Sequence, residues 1–198
     1  CRKHHTFLPV IYKFYLAPPI EFGLCVVNGY GKFTPAEMIE WFEFYRLMGV
    51  QEFNLYNTSY ENMNQVFNYY IARNLLVLSQ IPHPLGSDEN GKYSFNKISN
   101  LALTCLNDCL MKNMYRYRYI VVVDHDEFIV PRDNSTNYND LLINIEETLK
   151  PKEEIMSYSF LNTYFFRTFP PDHYKPFHMK TLRYRFRTRP LGRYIASK

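Results

Sequence analysis

Strands and helices alternate along the first two thirds of the chain, and this order restricts the fold more than any other feature. Residues 24–28 are apolar and β-branched, which predicts a buried strand. The next segment predicts a helix, because Thr34 and Glu37 can form a capping box and Gly49 supplies a left-handed stop. Residues 52–56 predict a second strand directly afterwards. Two strands joined by one helix indicate a βαβ unit, in which the strands are parallel neighbours.

The alternation continues to about residue 149. Residues 75–79 and 119–123 (LLVLS and YIVVV) predict two more buried strands, and the second is apolar throughout, as expected for a strand covered on both faces. Further predicted elements are two helices up to residue 114, a helix at 138–149, and strands at 128–130, 156–162 and 181–188. We therefore predict one α/β domain with a mixed sheet flanked by helices, more antiparallel in its later part.

Composition excludes several classes of protein. Of 198 residues, 46% are hydrophobic and 21% are charged, which are ordinary globular proportions and not those of a disordered or fibrous chain. Apolar runs are interrupted by charges before they reach the length of a membrane-spanning helix. The chain as given is therefore not expected to span a membrane.

The positive charge is concentrated at the end of the chain. The net charge is +4, but residues 167–198 contain nine basic residues and one acidic residue. Four arginines there alternate with other residues: Arg183, Arg185, Arg187 and Arg189. In an extended strand this period places all four on one face, which either faces solvent or binds phosphate.

The cysteines and glycosylation sequons bear on the cellular compartment. Four cysteines are too few to define a disulfide scaffold in this length, their spacing does not indicate zinc, and their pairing stays open. Cys105 and Cys109, four apart on a predicted helix, are explained as small buried residues. Sequons begin at Asn57 and Asn134, both in predicted loops, as in a glycosylated secretory protein. Together the two sequons favour the secretory route.

Three acidic residues, Asp124, Asp126 and Glu127, follow the apolar strand at 119–123. Ligands of α/β sheets bind beyond the carboxyl ends of the strands. Three carboxylates in four positions favour a hard divalent cation, Mn²⁺ or Mg²⁺. In an extended segment Asp124 and Asp126 share one face and Glu127 points away from it. The structural alternative is a polar turn that caps the strand.

Two enzyme classes place a DxD motif after an apolar strand. Phosphatases of the haloacid dehalogenase type carry Thr or Val two residues after the second Asp, where this chain has Phe128, and their strand usually comes first in the fold. Glycosyltransferases with the GT-A fold place the motif later, after several βα units. The position after the fourth strand therefore favours a GT-A-like fold with the DxD motif at the end of a central strand.

Three blocks of sequence resemble the signatures of glycosyltransferase family 92: residues 38–57 (MIEWFEFYRLMGVQEFNLYN), 106–110 (LNDCL) and 119–131 (YIVVVDHDEFIVP). The resemblance implies inverting transfer of a hexose, galactose above all, from a UDP-sugar to a glycan acceptor. It implies Mn²⁺ or Mg²⁺ held by Asp124 and Asp126. It also implies the Golgi lumen and a type II membrane protein whose anchor lies outside this chain. Residues 1–23 are then a lead-in segment, and residues 24–198 a glycosyltransferase domain truncated at its C-terminus.

Further site residues follow from the same resemblance. Four are candidate contacts of the donor nucleotide or sugar: Asn28, Tyr30, Asn107 and Asp108. The structural alternatives are a turn for the first two and the polar face of a helix for the others. Inverting transfer needs a general base, for which Glu127 and Asp172 are candidates, each with a structural role as the alternative.

Two alternative functions remain. The family usually carries a Gly-Gln pair near the start of the third helix, and residues 95–102 (FNKISNLA) contain neither residue. A catalytically silent, glycan-binding or interaction member of the same fold is therefore the second hypothesis. Nucleic-acid binding by the basic tail ranks below both, because the chain has no RNA-binding signature, and no nucleic-acid partner is expected. Residues 81–96 form a polar loop that is a candidate lid or acceptor rim.

Overall fold

The computed structural model describes residues 17–26, 33–57, 62–80, 95–132, 134–149, 155–173, 175 and 179–190, and only the backbone of residues 95–100. Within these residues the elements are β1 (Ile20–Val26), α1 (Pro35–Leu47), β2 (Glu52–Asn57), α2 (Asn64–Ile71), β3 (Leu76–Gln80), α3 (Phe95–Asn113), β4 (Tyr117–Val123), α4 (Tyr138–Leu149) and α5 (Lys180–Arg183). They form two compact units. One unit contains the four strands with α2 and α3, and the other contains α1 and the chain from Asp126 onward.

The first unit is built on a parallel sheet with strand order β3-β2-β1-β4. β1 lies inside it: Leu24 is opposite Phe53 of β2 on one side and Val121 of β4 on the other. α3 packs against β1 and α2 against β3. The predicted α/β class, with helices flanking the sheet, is confirmed.

The sheet differs from the prediction in four details. All four described strands are parallel, so the described sheet is not mixed, and β4 is its edge strand and not a central one. β4 is also incompletely covered, since Val122 is 39% exposed. The reason is that α3 packs against β1, which leaves part of β4 beyond the helix. β1 begins at Ile20, four residues before the predicted start.

Three predicted strands in the later chain are absent from the described residues. Residues 128–130 and 156–162 have no regular structure, and Lys180–Arg183 is a short helix. In that helix the Arg183 amide donates to the Met179 carbonyl, and the Glu40 carboxylate accepts from the amides of Lys180 and Thr181. The four arginines therefore do not share one strand face.

The local signals around α1 are confirmed. Thr34 Oγ1 accepts from the Glu37 amide at 3.3 Å, and the Glu37 carboxylate accepts from the Thr34 amide at 2.8 Å. Gly49 has a φ of 104°, the left-handed conformation that ends the helix. None of the helices in the described part of the chain has the length and apolarity that a membrane crossing needs.

A buried polar network lies where β1, β2 and β4 meet. The Tyr117 hydroxyl donates to Glu52, accepts from Asn54 Nδ2 at 2.8 Å, and Arg116 forms an ion pair with Glu52. Glu52 and Tyr117 are 5% and 2% exposed, so the partners of the Glu52 carboxylate come from the protein and not from bulk water. Gly23 is the glycine beside this network, and its missing side chain leaves room for the ring of Tyr117.

One disulfide joins the described parts of β1 and α3. It links Cys25 to Cys109, which are 84 residues apart in sequence, and Cys105 is buried and free. Cys105 is thus the small buried residue predicted, whereas Cys109 is half of a covalent link. Because the partner of Cys109 is so distant, nothing in the local spacing indicated it.

Candidate functional site

The acidic segment follows β4 directly. β4 ends at Val123, Asp124 is half-buried, and Asp126 and Glu127 are exposed. His125 lies between the two aspartates and is 5% exposed. The chain turns at His125 and Asp126, so the alternation expected of an extended segment does not apply there. The prediction that Asp124 and Asp126 share one strand face was therefore wrong in its geometry.

The strand register places a second group of side chains level with Asp124. Asn54 of β2 and Val122 of β4 both lie opposite Cys25 of β1. Tyr56 and Asp124 each come two residues later, at the carboxyl ends of their strands. Because β1 lies between β2 and β4, their backbones are about two strand spacings apart there, roughly 10 Å.

Tyr56 positions Asp108, one of the predicted donor contacts. The Tyr56 hydroxyl donates to Asp108 Oδ2 at 2.6 Å, and Lys112 Nζ lies 2.5 Å from the same oxygen. Burial, together with Asp108, raises the pKa of Tyr56 far above its ordinary value, so the phenol stays protonated and donates. Asp108 is half-buried and Asn107, the other predicted contact on α3, is exposed. The first unit thus brings Asp108 and Asp124 to the same end of the sheet, where the strands have their carboxyl ends.

The disulfide fixes the part of α3 that carries these residues. Cys109 follows Asp108 and is bonded to Cys25, one residue before the end of β1. Cys105, one turn earlier, packs with Cys25, Tyr56 and Cys109. Burial, followed by the charge of Asp108, raises the pKa of the Cys105 thiol to about 11. At neutral pH Cys105 is therefore a protonated thiol and not the reactive thiolate.

Two buried tyrosines hold the chain after the acidic residues. The Tyr45 hydroxyl donates to the Glu127 carbonyl at 3.0 Å and accepts from the Ile129 amide at 3.4 Å, while the Tyr138 hydroxyl donates to the Ile129 carbonyl at 3.0 Å. Burial raises the pKa of both tyrosines strongly, which keeps both hydroxyls protonated. Phe128 packs edge-on against Phe44 at 5.0 Å. Sequence reasoning missed these anchors; the aromatic stripe of α1 was their only signal.

Tyr45→Phe tests this anchoring. The substitution keeps the ring and removes both hydroxyl contacts to the segment that follows Asp126. We expect the free energy of unfolding to fall by about 1–2 kcal/mol, because the buried backbone groups lose a partner. Urea unfolding measures the change. Tyr69→Phe, at a half-exposed tyrosine of α2, is the matched control, and equal stability of the two variants would contradict the anchoring role.

The remaining predicted residues have different surroundings. Asp172 is half-buried and its carboxylate lies 3.5 Å from Arg185. Its backbone amide donates to the Arg183 carbonyl at 2.8 Å. Asn28, Tyr30 and most of the candidate lid, residues 81–94, lie outside the described residues.

The carboxylates fit one kind of metal site. Among the described residues there is no group of three or more His, Cys, Asp or Glu side chains close enough to hold a metal ion. Mg²⁺ and similar ions are often held by one or two carboxylates and completed by substrate phosphates. Asp124 and Asp126 are carboxylates, the hard oxygen donors that such a site uses, and their binding of a metal ion stays a prediction.

Comparison with known proteins gives one match. The family model described as Glycosyltransferase family 92 matches residues 20–195, which is most of the chain. No curated protein and no solved structure matches the chain. The matched range includes β1, the acidic segment after β4 and the basic residues near the end of the chain.

Proposed function

Because this chain belongs to glycosyltransferase family 92, we propose that it transfers galactose from UDP-galactose to a glycan acceptor, with inversion and with a bound Mn²⁺ or Mg²⁺. Membership of the family makes it a glycosyltransferase; the sugar, the donor nucleotide, the metal and the stereochemistry are the proposal. The observation that supports it best is the position of Asp124, directly after β4 and level with Tyr56, whose hydroxyl bonds Asp108.

Each of these residues has a distinct role in the proposed reaction. Asp124 and Asp126 would hold the divalent cation, which when bound offsets the negative charge on the departing diphosphate. Asp108 has one oxygen occupied by Tyr56 and Lys112, and its other oxygen would accept from a hydroxyl of the donor sugar. The exposed amide of Asn107 would contact the donor beside it.

The chemical step needs one further group. The acceptor oxygen forms a bond to the anomeric carbon as the bond from that carbon to the diphosphate breaks, and a base takes the acceptor proton. The Asp172 carboxylate already contacts Arg185 at 3.5 Å. We therefore prefer Glu127, an exposed carboxylate one residue after Asp126, as the base.

Covalent chemistry supports the proposed compartment. A disulfide persists in oxidising compartments, and the Cys25–Cys109 link therefore supports the Golgi lumen. Asn134 is exposed in a turn, where a glycosylated asparagine is expected. Asn57, the other sequon, ends β2 and does not lie in the predicted loop; its side chain donates to Gln80 at 3.2 Å. Of the two sites, Asn134 is the one we expect to be glycosylated.

Calorimetric titration of UDP with and without Mn²⁺ tests the proposal. We expect Mn²⁺ to tighten UDP binding at least roughly tenfold, because a bound cation would offset the negative charge of the diphosphate. The double variant Asp124→Asn/Asp126→Asn should lose this gain and keep its fold, as checked by circular dichroism. Glu146→Gln/Glu147→Gln removes the same charge from exposed positions of α4 and should behave like the wild type.

Two other results of this titration would contradict parts of the proposal. A gain from Mn²⁺ that persists in the aspartate variant would overturn the assignment of the metal ligands. A folded wild-type chain that binds no UDP in either condition would overturn the proposed donor and favour the catalytically silent, glycan-binding alternative.

A further inference from the structure

An exposed aromatic surface lies on the unit that contains the end of the chain. Four rings form it, Tyr164, Phe166, Phe169 and Phe186, and they are between 37% and 62% exposed. Soluble proteins seldom leave several large apolar side chains exposed side by side unless the patch binds something. Arg185 and Arg187, which are also exposed, flank Phe186 in sequence, and we call the four rings with these two arginines the aromatic–arginine surface.

The rings form a connected row. Tyr164 stacks on Phe166 at 6.3 Å with 18° between the ring planes, Phe166 meets Phe169 edge-on at 5.8 Å, and Phe169 meets Phe186 edge-on at 6.4 Å. These are favourable aromatic geometries, so the rings restrict one another even though each is partly exposed to solvent.

Backbone contacts hold the two segments that carry the rings. The Thr188 amide donates to the Tyr164 carbonyl at 2.9 Å, and Thr188 Oγ1 accepts from the Tyr164 amide at 3.0 Å. Further along, the Asp172 amide donates to the Arg183 carbonyl at 2.8 Å. The segments therefore run antiparallel, and the surface is fixed before any ligand arrives.

The charge on this surface is positive. Arg185 is 71% exposed although it contacts Asp172, and Arg187 is exposed and forms no ion pair within the described residues. Asp172 is the only acidic residue among the described positions from 155 onward. A ligand of this surface is therefore expected to be anionic.

We propose that the aromatic–arginine surface binds a carboxylated oligosaccharide, and that this oligosaccharide is the acceptor. The apolar faces of pyranose rings pack on aromatic rings, and guanidinium groups pair with carboxylates in a planar geometry that lysine cannot match. Exposed rings, with exposed arginines that flank Phe186 in sequence, fit a chain of sugars in which some residues are uronates. Naming this ligand as the acceptor rests on the proposed function, whereas its binding does not.

Direct binding separates this ligand from its competitors. The probes are a hyaluronan hexasaccharide, which alternates glucuronate with N-acetylglucosamine, and chitohexaose in its fully N-acetylated form, which has the same length and no charge. We expect the wild type to bind the hyaluronan fragment roughly tenfold more tightly, because charge-assisted hydrogen bonds are added to the same stacking. The binding of a thymidylate hexamer and of phosphatidylserine vesicles is measured in parallel, as probes for a nucleic acid and a membrane surface.

Variants assign the binding to this surface. Arg187→Gln should weaken hyaluronan binding about fivefold to tenfold and leave chitohexaose binding unchanged. Phe186→Ala should weaken both. Arg132→Gln, at an exposed arginine elsewhere, is the charge-matched control and should change neither. UDP affinity is measured on every variant, so that loss of the donor site is distinguished from loss of this surface.

Three results would overturn the proposal. Equal affinity for the two hexasaccharides would show that the arginines do not select a carboxylate. Unchanged hyaluronan binding by the Arg187 and Phe186 variants would place the ligand elsewhere. Tighter binding of the thymidylate hexamer or of the vesicles would identify a nucleic acid or a membrane surface as the partner.

Discussion

Gly23→Ala is expected to destabilise the protein by at least about 3 kcal/mol, because extra atoms in a packed core force movements that its surroundings resist. A Cβ atom at this position would lie 2.1 Å from Cδ2 of the Tyr117 ring, a distance that real structures do not contain. The ring cannot move aside easily, since it is 2% exposed and its hydroxyl is bonded to Glu52 and Asn54. Relieving the clash would leave the buried Glu52 carboxylate short of a donor, which itself costs several kcal/mol.

A double-mutant cycle with Tyr117→Ala isolates this contact. Urea unfolding of the two single variants and the double variant gives the coupling energy between the positions. Alanine lacks the Cγ, Cδ2 and Cε2 atoms that the new Cβ would meet, so the alanine at position 23 should destabilise the Tyr117→Ala background much less than the wild type. Equal losses in the two backgrounds would contradict the clash. Gly49→Ala serves for comparison, because at its φ of 104° a side chain meets backbone strain and not a neighbouring ring.

Loss of the Cys25–Cys109 disulfide is expected to lower the free energy of unfolding by about 4 kcal/mol, roughly a thousandfold in the unfolding equilibrium. The size follows from the 84 residues between the cysteines, since a long closed loop removes much freedom from the unfolded chain. Reduction should destabilise the wild type as much as Cys25→Ala/Cys109→Ala does without a reductant, when urea unfolding is measured with and without dithiothreitol.

Cys105→Ala is the control for this prediction. That cysteine is free and buried, so its variant should still lose stability on reduction. A loss of less than about 1 kcal/mol in the reduced wild type would contradict the assigned role of the disulfide.

Local patterns in the sequence were sufficient for much of the fold. The capping box of Thr34 and Glu37 and the stop at Gly49 depend on neighbouring residues, and the structure forms both. The acidic residues after β4 were identified for the same reason, because the strand and its end are adjacent in sequence. The assignment of metal binding to those residues stays a prediction.

Contacts between distant residues account for the differences. Residues 181–188 alternate like a strand, but the carboxylate of Glu40, 141 positions before Thr181, accepts the amides that begin a helical turn there. The Cys25–Cys109 link and the tyrosine anchors of residues 127–129 are likewise made by partners far away in sequence. Periodicity cannot report such partners, because they are brought together only by the folded chain.

The place of β1 between β2 and β4 has a consequence for the order of events during synthesis. β1 is made first of the four strands, yet one of its edges stays unpaired until β4 emerges. Cys25 likewise cannot form its disulfide until Cys109, 84 residues later, has been made. At ordinary translation rates that interval is on the order of 4–17 s. Throughout it the nascent chain exposes a strand edge and a reactive thiol, so it depends on the folding and oxidation machinery of its compartment. Asp124 can reach its position only when β4, the last of the four strands, closes the sheet.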